Sequence, residues 1–282
     1  MEFMTGRFFV YDNKWYPAGT PVIGPGNRSL RYGDGLFETM KMSHGEIINQ
    51  PFHFERLFKG LSMLEFDIPA YFTAAFLDKA IRQLAEKNKH TASARIRLMV
   101  ARGDGGIFDP QDLRPHFIAE SWSLPQVAQL NDNGLVIDIF TGCQKNCDGY
   151  ANLKSNNYLP YVMAGLFARK NQWNDCLVLN TAGRICDSAI ANVFLINGHR
   201  IVTPPLSEGC VAGVMRRWML EKFARQPYQV AEEPISINDL LAADEVFLTN
   251  AVFHLRWVKS FREKTYPPHR SKEIYQHILQ TI

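Results

Sequence analysis

The sequence predicts an α+β fold in two domains, and three observations predict it. Apolar residues make up 46% of the 282 residues, which is enough to bury a substantial core. Stretches with the two-residue period of strands are mixed along the chain with stretches of helical period. The pattern loosens between Ser121 and Asn133, where Pro125 interrupts it. We therefore expect a smaller N-terminal α/β domain over residues 1–122, a linker over 123–132 and a larger C-terminal α/β domain over 133–282.

Charge and cysteine content restrict the partners and the compartment. The formal net charge is +3 and no block of like charges stands out, so we expect neither a nucleic acid nor a membrane as partner. Pro and Gly interrupt residues 1–31, which argues against a signal peptide, and no apolar run is long enough to span a bilayer. Five cysteines, an odd number, favour a reducing cytoplasm. Cys143 and Cys147 lack neighbouring ligands, so we assign no metal.

The N-terminal elements follow from periodicity and turn residues. In the segment Arg95–Val100 apolar residues alternate with arginines, so a strand is predicted with one apolar face and one face that could meet an anion. Two helices precede it, because apolar residues recur at helical spacing over 54–64 and 72–84, and Arg56 lies outside the apolar stripe of the first. Further strands are predicted at Phe8–Val10, Leu36–Met42 and Glu46–Ile48, the last two joined by a turn at Ser43-His44-Gly45.

The C-terminal elements carry clear local signals. A helix beginning near Tyr158 has Pro160 in its first turn, where proline is favoured. Asn197-Gly198 predicts a hairpin turn, and Ser236 with Asp239 predicts a capping box. The remaining elements are predicted strands at Leu135–Phe140, Leu177–Leu179, Val193–Ile196 and Val246–Thr249, a helix from about Gly213 to Arg225, and a C-terminal helix.

Five segments bear the residues suited to chemistry, and their order is more specific than any one of them. They are Tyr32-Gly33-Asp34-Gly35-Leu36-Phe37-Glu38-Thr39, His53-Phe54-Glu55-Arg56-Leu57, the segment around Lys154, Gly183–Phe194, and Gly213-Val214-Met215-Arg216. In this order, from Tyr32 to Asn250, the chain resembles the class IV, or fold type IV, pyridoxal-phosphate enzymes. These include branched-chain aminotransferases, D-amino acid aminotransferases and 4-amino-4-deoxychorismate lyases. The resemblance implies two α/β domains with the cofactor, pyridoxal phosphate, between them.

The resemblance also implies roles for the matching residues. Lys154 corresponds to the lysine that holds the cofactor covalently, and its amine, once displaced, can move the substrate α-proton. Tyr158, one helical turn further, corresponds to a tyrosine that donates to the cofactor phenolate oxygen, although a packed helix tyrosine is the alternative. Arg56 corresponds to the arginine that grips the phosphate through charge-assisted hydrogen bonds, and a surface ion pair is the alternative there.

A helix N-terminus is expected to complete the phosphate site. Gly213, Val214 and Met215 open a predicted helix, where unpaired amides and the helix dipole favour an anion. Met215 stands where the family often has a threonine, so it offers only its backbone. Thr249 and Asn250, at the end of a late strand, are expected to supply the remaining polar contacts.

Asp187 departs from the family pattern, which has a glutamate at this place. A carboxylate beside the pyridine nitrogen keeps that nitrogen protonated, so that the ring can withdraw electrons. Aspartate is shorter by one methylene, so the cofactor must sit closer, a water must bridge, or the nitrogen is protonated less. An ordinary turn aspartate is the alternative.

The substrate follows from fewer residues. Arg97 lies where branched-chain aminotransferases have an arginine near the substrate carboxylate, and Tyr32 and Phe37 match pocket aromatics of that group. This favours L-branched-chain or similar amino acids with 2-oxoglutarate as acceptor. Ile107 stands where the lyase and D-amino acid branches have an arginine, which counts against both. The segment Arg102-Gly103-Asp104-Gly105-Gly106 nevertheless resembles the lyase loop, so cleavage of 4-amino-4-deoxychorismate to pyruvate and 4-aminobenzoate is the alternative.

Two further expectations rest on the same resemblance. Similar enzymes are homodimers, so we expect a homodimer that acts on small-molecule amino acids and keto acids. A catalytically silent homologue that only binds pyridoxal phosphate is a third reading, and Asp187 is the feature that raises it.

Overall fold

The computed structural model of the chain describes residues 5–125 and 130–279. Residues 126–129 of the predicted linker lie outside the described residues, as do 1–4 and 280–282. The chain divides into two compact units, which we call the N-terminal unit (Met1–Val127 with Lys154–Asn157) and the C-terminal unit (Ala128–Leu153 with Tyr158–Ile282). The short segment that begins with Lys154 thus belongs to the unit formed by the first part of the chain.

The N-terminal unit is built on a six-stranded antiparallel sheet with the strand order β2-β1-β6-β5-β3-β4. Helix α2 packs on β3, and α3 packs on β1 and β6. The elements are β1 Phe8–Tyr11, β2 Lys14–Pro17, α1 Arg28–Tyr32, β3 Gly35–Ser43, β4 Glu46–Ile47, α2 Gln50–Met63, α3 Ala74–Asn88, β5 Ser93–Ala101 and β6 His116–Ser123.

Strand β5 shows how the two faces of this sheet differ. Ile96, Leu98 and Val100 are completely buried, whereas Arg95 and Arg97 alternate with them and are half-buried, as the sequence predicts. The arginines therefore share the face opposite to the buried apolar residues. We call it the open face of the sheet.

The C-terminal unit is built on a mixed sheet in which β7 pairs in parallel with both β8 and β14. Its main path runs β12-β11-β10-β13-β14-β7-β8-β9, and β15 pairs with β14. The elements are β7 Leu135–Lys145, α4 Leu159–Lys170, β8 Asp175–Asn180, β9 Ile185–Ser188, β10 Asn192–Asn197, β11 Arg200–Thr203, a 3-10 turn Leu206–Glu208, α5 Val214–Phe223, β12 Gln229–Glu232, α6 Ile237–Ala242, β13 Glu245–Asn250, β14 His254–Phe261, β15 Lys264–Thr265, α7 His269–Ile274 and a π-helical turn Tyr275–Leu279.

Proline, capping and turn residues in the sequence predicted several of these elements correctly. Pro160 lies in the first turn of α4, and Ser236 with Asp239 forms the predicted capping box of α6. The predicted hairpin joins β10 to β11, but its turn is Gly198-His199, since Asn197 still pairs with Arg200. Within the described ranges, no helix has both the length and the apolar character needed to cross a bilayer.

Candidate active site

Lys154 is fixed by its backbone to the free edge of β3. The Phe37 amide donates to the Lys154 carbonyl at 2.9 Å, and the Asn156 amide donates to the Gly35 carbonyl at 2.9 Å. A side chain at Gly35 would meet the Val100 carbonyl oxygen at 2.5 Å, so glycine is required where these strands approach. The pairing holds the lysine at one end of the sheet.

The ring of Phe37 brings two cations together on the open face. Lys154 Nζ lies 4.4 Å from the ring centroid, and Arg97 Cζ lies 4.2 Å from the same centroid. Phe37 is buried, so its ring is held in place, and the Lys154 amine and the Arg97 guanidinium both lie against it. The structure therefore brings together three of the sequence-predicted residues, Lys154, Phe37 and Arg97.

A cavity of about 390 Å³ adjoins Arg97 in the N-terminal unit. Its lining combines apolar side chains, among them Phe9, Met99 and Ile118, with the charged side chains of Arg97 and Glu120. Arg97 and Glu120 are direct partners across β5 and β6, so the cavity holds one cation and one anion side by side. Tyr32, at the end of α1, is exposed and does not line this cavity.

Arg56 lies in a buried charge cluster on the helix-covered side of β3. Its Nε and Nη2 donate to the two carboxylate oxygens of Glu38 at 2.7 and 2.5 Å, and His53 Nδ1 lies 2.6 Å from Glu38 Oε2. Burial opposes ionisation of the Glu38 carboxyl, but Arg56 and His53 outweigh it and hold its pKa at about 2. Burial lowers the pKa of His53, so this imidazole is neutral at pH 7. Glu38 thus fixes Arg56; the predicted phosphate contact of this arginine stays a prediction.

Asp187 in the C-terminal unit is buried and accepts hydrogen bonds from four donors of the described residues. Its Oδ2 accepts from the Tyr161 hydroxyl at 2.7 Å, the Val211 amide at 2.9 Å and Lys145 Nζ at 3.3 Å. Its Oδ1 accepts from Asn192 Nδ2 at 2.9 Å. Burial raises the pKa of Asp187, and Lys145 together with these hydrogen bonds opposes the rise.

Tyr158 stands at the start of α4 and packs against Tyr161. It is the residue that precedes the first turn of α4, and the two ring centroids are 4.4 Å apart. The hydroxyl of Tyr161 is the one that bonds to Asp187. The structure therefore joins the predicted Tyr158 to the predicted Asp187 through a tyrosine that the sequence argument did not select.

Helix α5 begins at Val214, and Gly213 is its N-cap, close to the predicted start of about Gly213. A side chain at Gly213 would meet Asn192 Oδ1 at 1.8 Å, and Val214 and Met215 are buried in the first turn. The Thr249 hydroxyl donates to the His254 carbonyl, and Asn250 Oδ1 accepts from the Val252 amide at 2.9 Å. The polar side chains at the end of β13 thus serve the local turn, and their predicted contacts with a phosphate stay predictions.

Some residues of these clusters escaped the sequence argument. Tyr161 follows Tyr158 by three positions on one helix, so helical spacing could have placed it on the same side. Glu38 lies inside a motif that was selected, and its place in the alternation of β3 could have marked it. No sequence pattern marked Lys145 as a site residue, because only the folded β7 brings it to Asp187.

The donor groups match the polar groups of pyridoxal phosphate in chemical type at most positions. The N-terminal unit offers the Lys154 amine for the aldehyde and the Arg56 guanidinium for the phosphate. The C-terminal unit offers the first-turn amides of α5 for the phosphate and the Tyr158 phenol for the phenolate oxygen. The ring nitrogen differs, because the Asp187 carboxylate already accepts four hydrogen bonds from the described residues.

Two sheets of this topology, with the lysine on the edge of the first, define a fold type IV enzyme. The family model for amino-transferase class IV matches residues 35–261, and the chain belongs to that family. An aminodeoxychorismate lyase of Vibrio harveyi is 30% identical over 80% of this chain and 83% of its own. A putative branched-chain-amino-acid aminotransferase of Methanocaldococcus jannaschii is 26% identical over 79% of this chain and 77% of its own. The crystal structure of the Escherichia coli branched-chain amino acid aminotransferase superposes with a TM-score of 0.86 at 22% identity, covering 98% of this chain and 94% of that one.

Proposed function

We propose that this enzyme is an aminotransferase for L-branched-chain or similar apolar amino acids, with 2-oxoglutarate as amino-group acceptor. The observation that carries the proposal is the cavity beside Arg97, whose apolar lining suits an aliphatic side chain and whose guanidinium suits a carboxylate. Arg97 shares the Phe37 ring with Lys154, so carboxylate binding and proton transfer act on neighbouring parts of one small substrate.

The cofactor is pyridoxal phosphate, which supplies an aldehyde for the amine and an electron-withdrawing ring when bound. Lys154 would hold it covalently, and the Lys154 Nζ would take and return the substrate α-proton. Arg56 and the first-turn amides of α5 bind the phosphate, and Tyr158 donates to the phenolate oxygen. Thr249 and Asn250 add polar contacts, and Tyr32 and Phe37 bound the substrate.

Kinetics of two matched arginine variants test the carboxylate assignment. Arg97 and Arg95 lie on the same face of β5, but only Arg97 lines the cavity. Loss of a charge-assisted hydrogen bond costs about 1.5–3 kcal/mol, so Arg97→Gln should raise the KM for 2-oxoglutarate by about 10-fold to 150-fold. Arg95→Gln should change it less than about 3-fold. Equal effects of the two substitutions would contradict the assignment.

The second candidate is 4-amino-4-deoxychorismate lyase, which the 30% identical Vibrio harveyi relative favours. Ile107 stands where the lyase branch has an arginine, and this counts against it. Dependence on 2-oxoglutarate distinguishes the two activities. A transaminase needs this acceptor to regenerate its cofactor, whereas the lyase releases pyruvate without an acceptor. Activity on aminodeoxychorismate with no response to leucine would select the lyase.

The assembly and location of the enzyme are part of the same proposal. We propose a cytoplasmic homodimer, as the family resemblance implies. One face of α4 supports it, because four apolar side chains at helical spacing are exposed there: Leu159, Val162, Met163 and Leu166. A second copy of this chain is the partner for that face.

A further inference from the structure

Lys145, Tyr161 and Asp187 form a buried cluster of three ionisable groups. Lys145 comes from the end of β7, Tyr161 from the first turn of α4 and Asp187 from β9. Lys145 Nζ is 2.5 Å from the Tyr161 hydroxyl and 3.3 Å from Asp187 Oδ2, and the hydroxyl is 2.7 Å from the same oxygen. One carboxylate oxygen is therefore approached by an ammonium and a phenol that also touch each other.

The charge of Asp187 is balanced inside the protein. The side chains of Lys145 and Asp187 are only 12% and 3% exposed, so little water screens the pair. Burial and the Asp187 charge raise the pKa of Tyr161 well above its ordinary value, so the phenol keeps its proton and donates it. The other polar neighbours are the Asn192 amide group, the Val211 amide and the thiols of Cys186 and Cys210, whose pKa values are raised by burial. Of these neighbours, all within the described ranges, Lys145 is the cation.

We propose that Lys145 and Tyr161 are positioning residues that weaken protonation of the cofactor ring nitrogen. The Lys145 ammonium balances the charge of Asp187, and the Tyr161 phenol stabilises that carboxylate by a hydrogen bond. The proposal rests on the proposed function, since it requires bound pyridoxal phosphate. A carboxylate raises the pKa of a neighbouring base, and a cation beside the carboxylate reduces that effect. The ring nitrogen of this enzyme therefore has a lower pKa than a lone carboxylate would give it.

The nitrogen-15 resonance of the ring nitrogen tests this directly. Enzyme loaded with 15N-labelled pyridoxal phosphate is titrated with pH as wild type, Lys145→Met, Tyr161→Phe and Lys145→Arg. Lys145→Met should raise the pKa of the ring nitrogen by about 1–2 units, because the unmatched carboxylate then stabilises the pyridinium. Tyr161→Phe should raise it by less, since the ammonium remains. Lys145→Arg should titrate like wild type, because arginine keeps a positive charge at this position. Arg184→Gln is the control, because Arg184 pairs with Glu208 and does not contact Asp187.

The outcomes separate this inference from the proposed function. If Lys145→Met binds the cofactor but leaves the ring-nitrogen pKa within about 0.3 units of wild type, Lys145 is only a structural ion-pair partner and the inference is overturned. If Lys145→Met does not fold, an unchanged titration in folded Tyr161→Phe overturns it equally. If the wild-type protein binds no pyridoxal phosphate, the proposed function fails and the inference fails with it.

Discussion

Single buried charges in this protein are stable because their partners are buried beside them. Glu38 is completely buried; the Arg56 guanidinium matches its charge, and His53 Nδ1 lies within hydrogen-bond distance of its carboxylate. Asp187 is matched by Lys145 in the same way. Removal of one partner leaves an uncompensated charge, which is far more costly than the net contribution of the pair.

Glu38→Gln should destabilise the protein in a pH-dependent way. The folded pKa of Glu38 is about 2 against an ordinary value of 4.5, so its contribution is fully present above about pH 5 and is lost as the pH falls towards 2. The shift corresponds to roughly 3 kcal/mol of unfolding free energy at pH 7. Urea unfolding of wild type and Glu38→Gln should show a difference in unfolding free energy that is larger at pH 7 than at pH 3. A constant difference would contradict the assignment.

His116 is the opposite case, a histidine whose charged form is stabilised. Asp12 bonds to its Nδ1 and Asp112 to its Nε2, and the Asp12 hydrogen bond above all raises the pKa of His116 to about 9. Its stabilising contribution is complete below about pH 6.5 and disappears as the pH rises through 9. An NMR titration should give a midpoint near 9, and Asp12→Asn should move it towards 6.5. A wild-type midpoint near 6.5 would refute the pairing.

At the scale of elements, the period of the apolar residues predicted the strands and helices whose buried face is apolar. It missed an element whose buried positions include a small polar residue. The alternation of β5 located its buried face, and Ser236 with Asp239 located the start of α6. Strand β6 was not predicted, because its inward positions include the small polar Ser121, which is completely buried all the same. The pairing of Lys145 with Asp187 joins strands far apart in sequence, and local pattern carries no information about it.

The start of α5 depends on glycine for a packing reason. Gly213→Ala would place a methyl group 1.8 Å from Asn192 Oδ1, and Asn192 holds both Asp187 and the Val211 carbonyl. The substitution should lower stability by about 1–3 kcal/mol and weaken cofactor binding. Gly165→Ala in α4 is the matched control, because nothing lies within 4 Å of its added carbon. The control should be neutral or stabilising by up to about 1 kcal/mol. Thermal unfolding and cofactor titration measure both, and equal effects would contradict the packing argument.

At the scale of the whole molecule, the family follows from ordered motifs, whereas the proposed substrate rests on one cavity. The five sequence segments identified the family because their order constrains the fold as a whole. The cavity beside Arg97 is formed by strands and by the segment of residues 18–23, and its Glu120 lay in no motif. Such a feature is set by tertiary packing and could be read only from the structure.

The exposed face of α4 makes an assembly prediction. If it is the contact with a second copy, wild type should be a dimer at micromolar concentration, and Leu166→Glu should shift it towards monomer, because a charge in an apolar interface is left without a partner. Light scattering after gel filtration gives both masses. Lys59→Glu, at an exposed position of α2, serves as control, and a monomeric wild type would contradict the prediction.

The visible absorbance of the purified enzyme, with and without Lys154, tests the central claim most directly. Wild type loaded with pyridoxal phosphate should be yellow, L-leucine should bleach the colour, and 2-oxoglutarate should restore it. Lys154→Ala should lack the visible band of the lysine-bound cofactor. If that band persists in Lys154→Ala, the assignment of Lys154 is wrong; if leucine leaves the yellow wild type unchanged, the aminotransferase assignment is wrong.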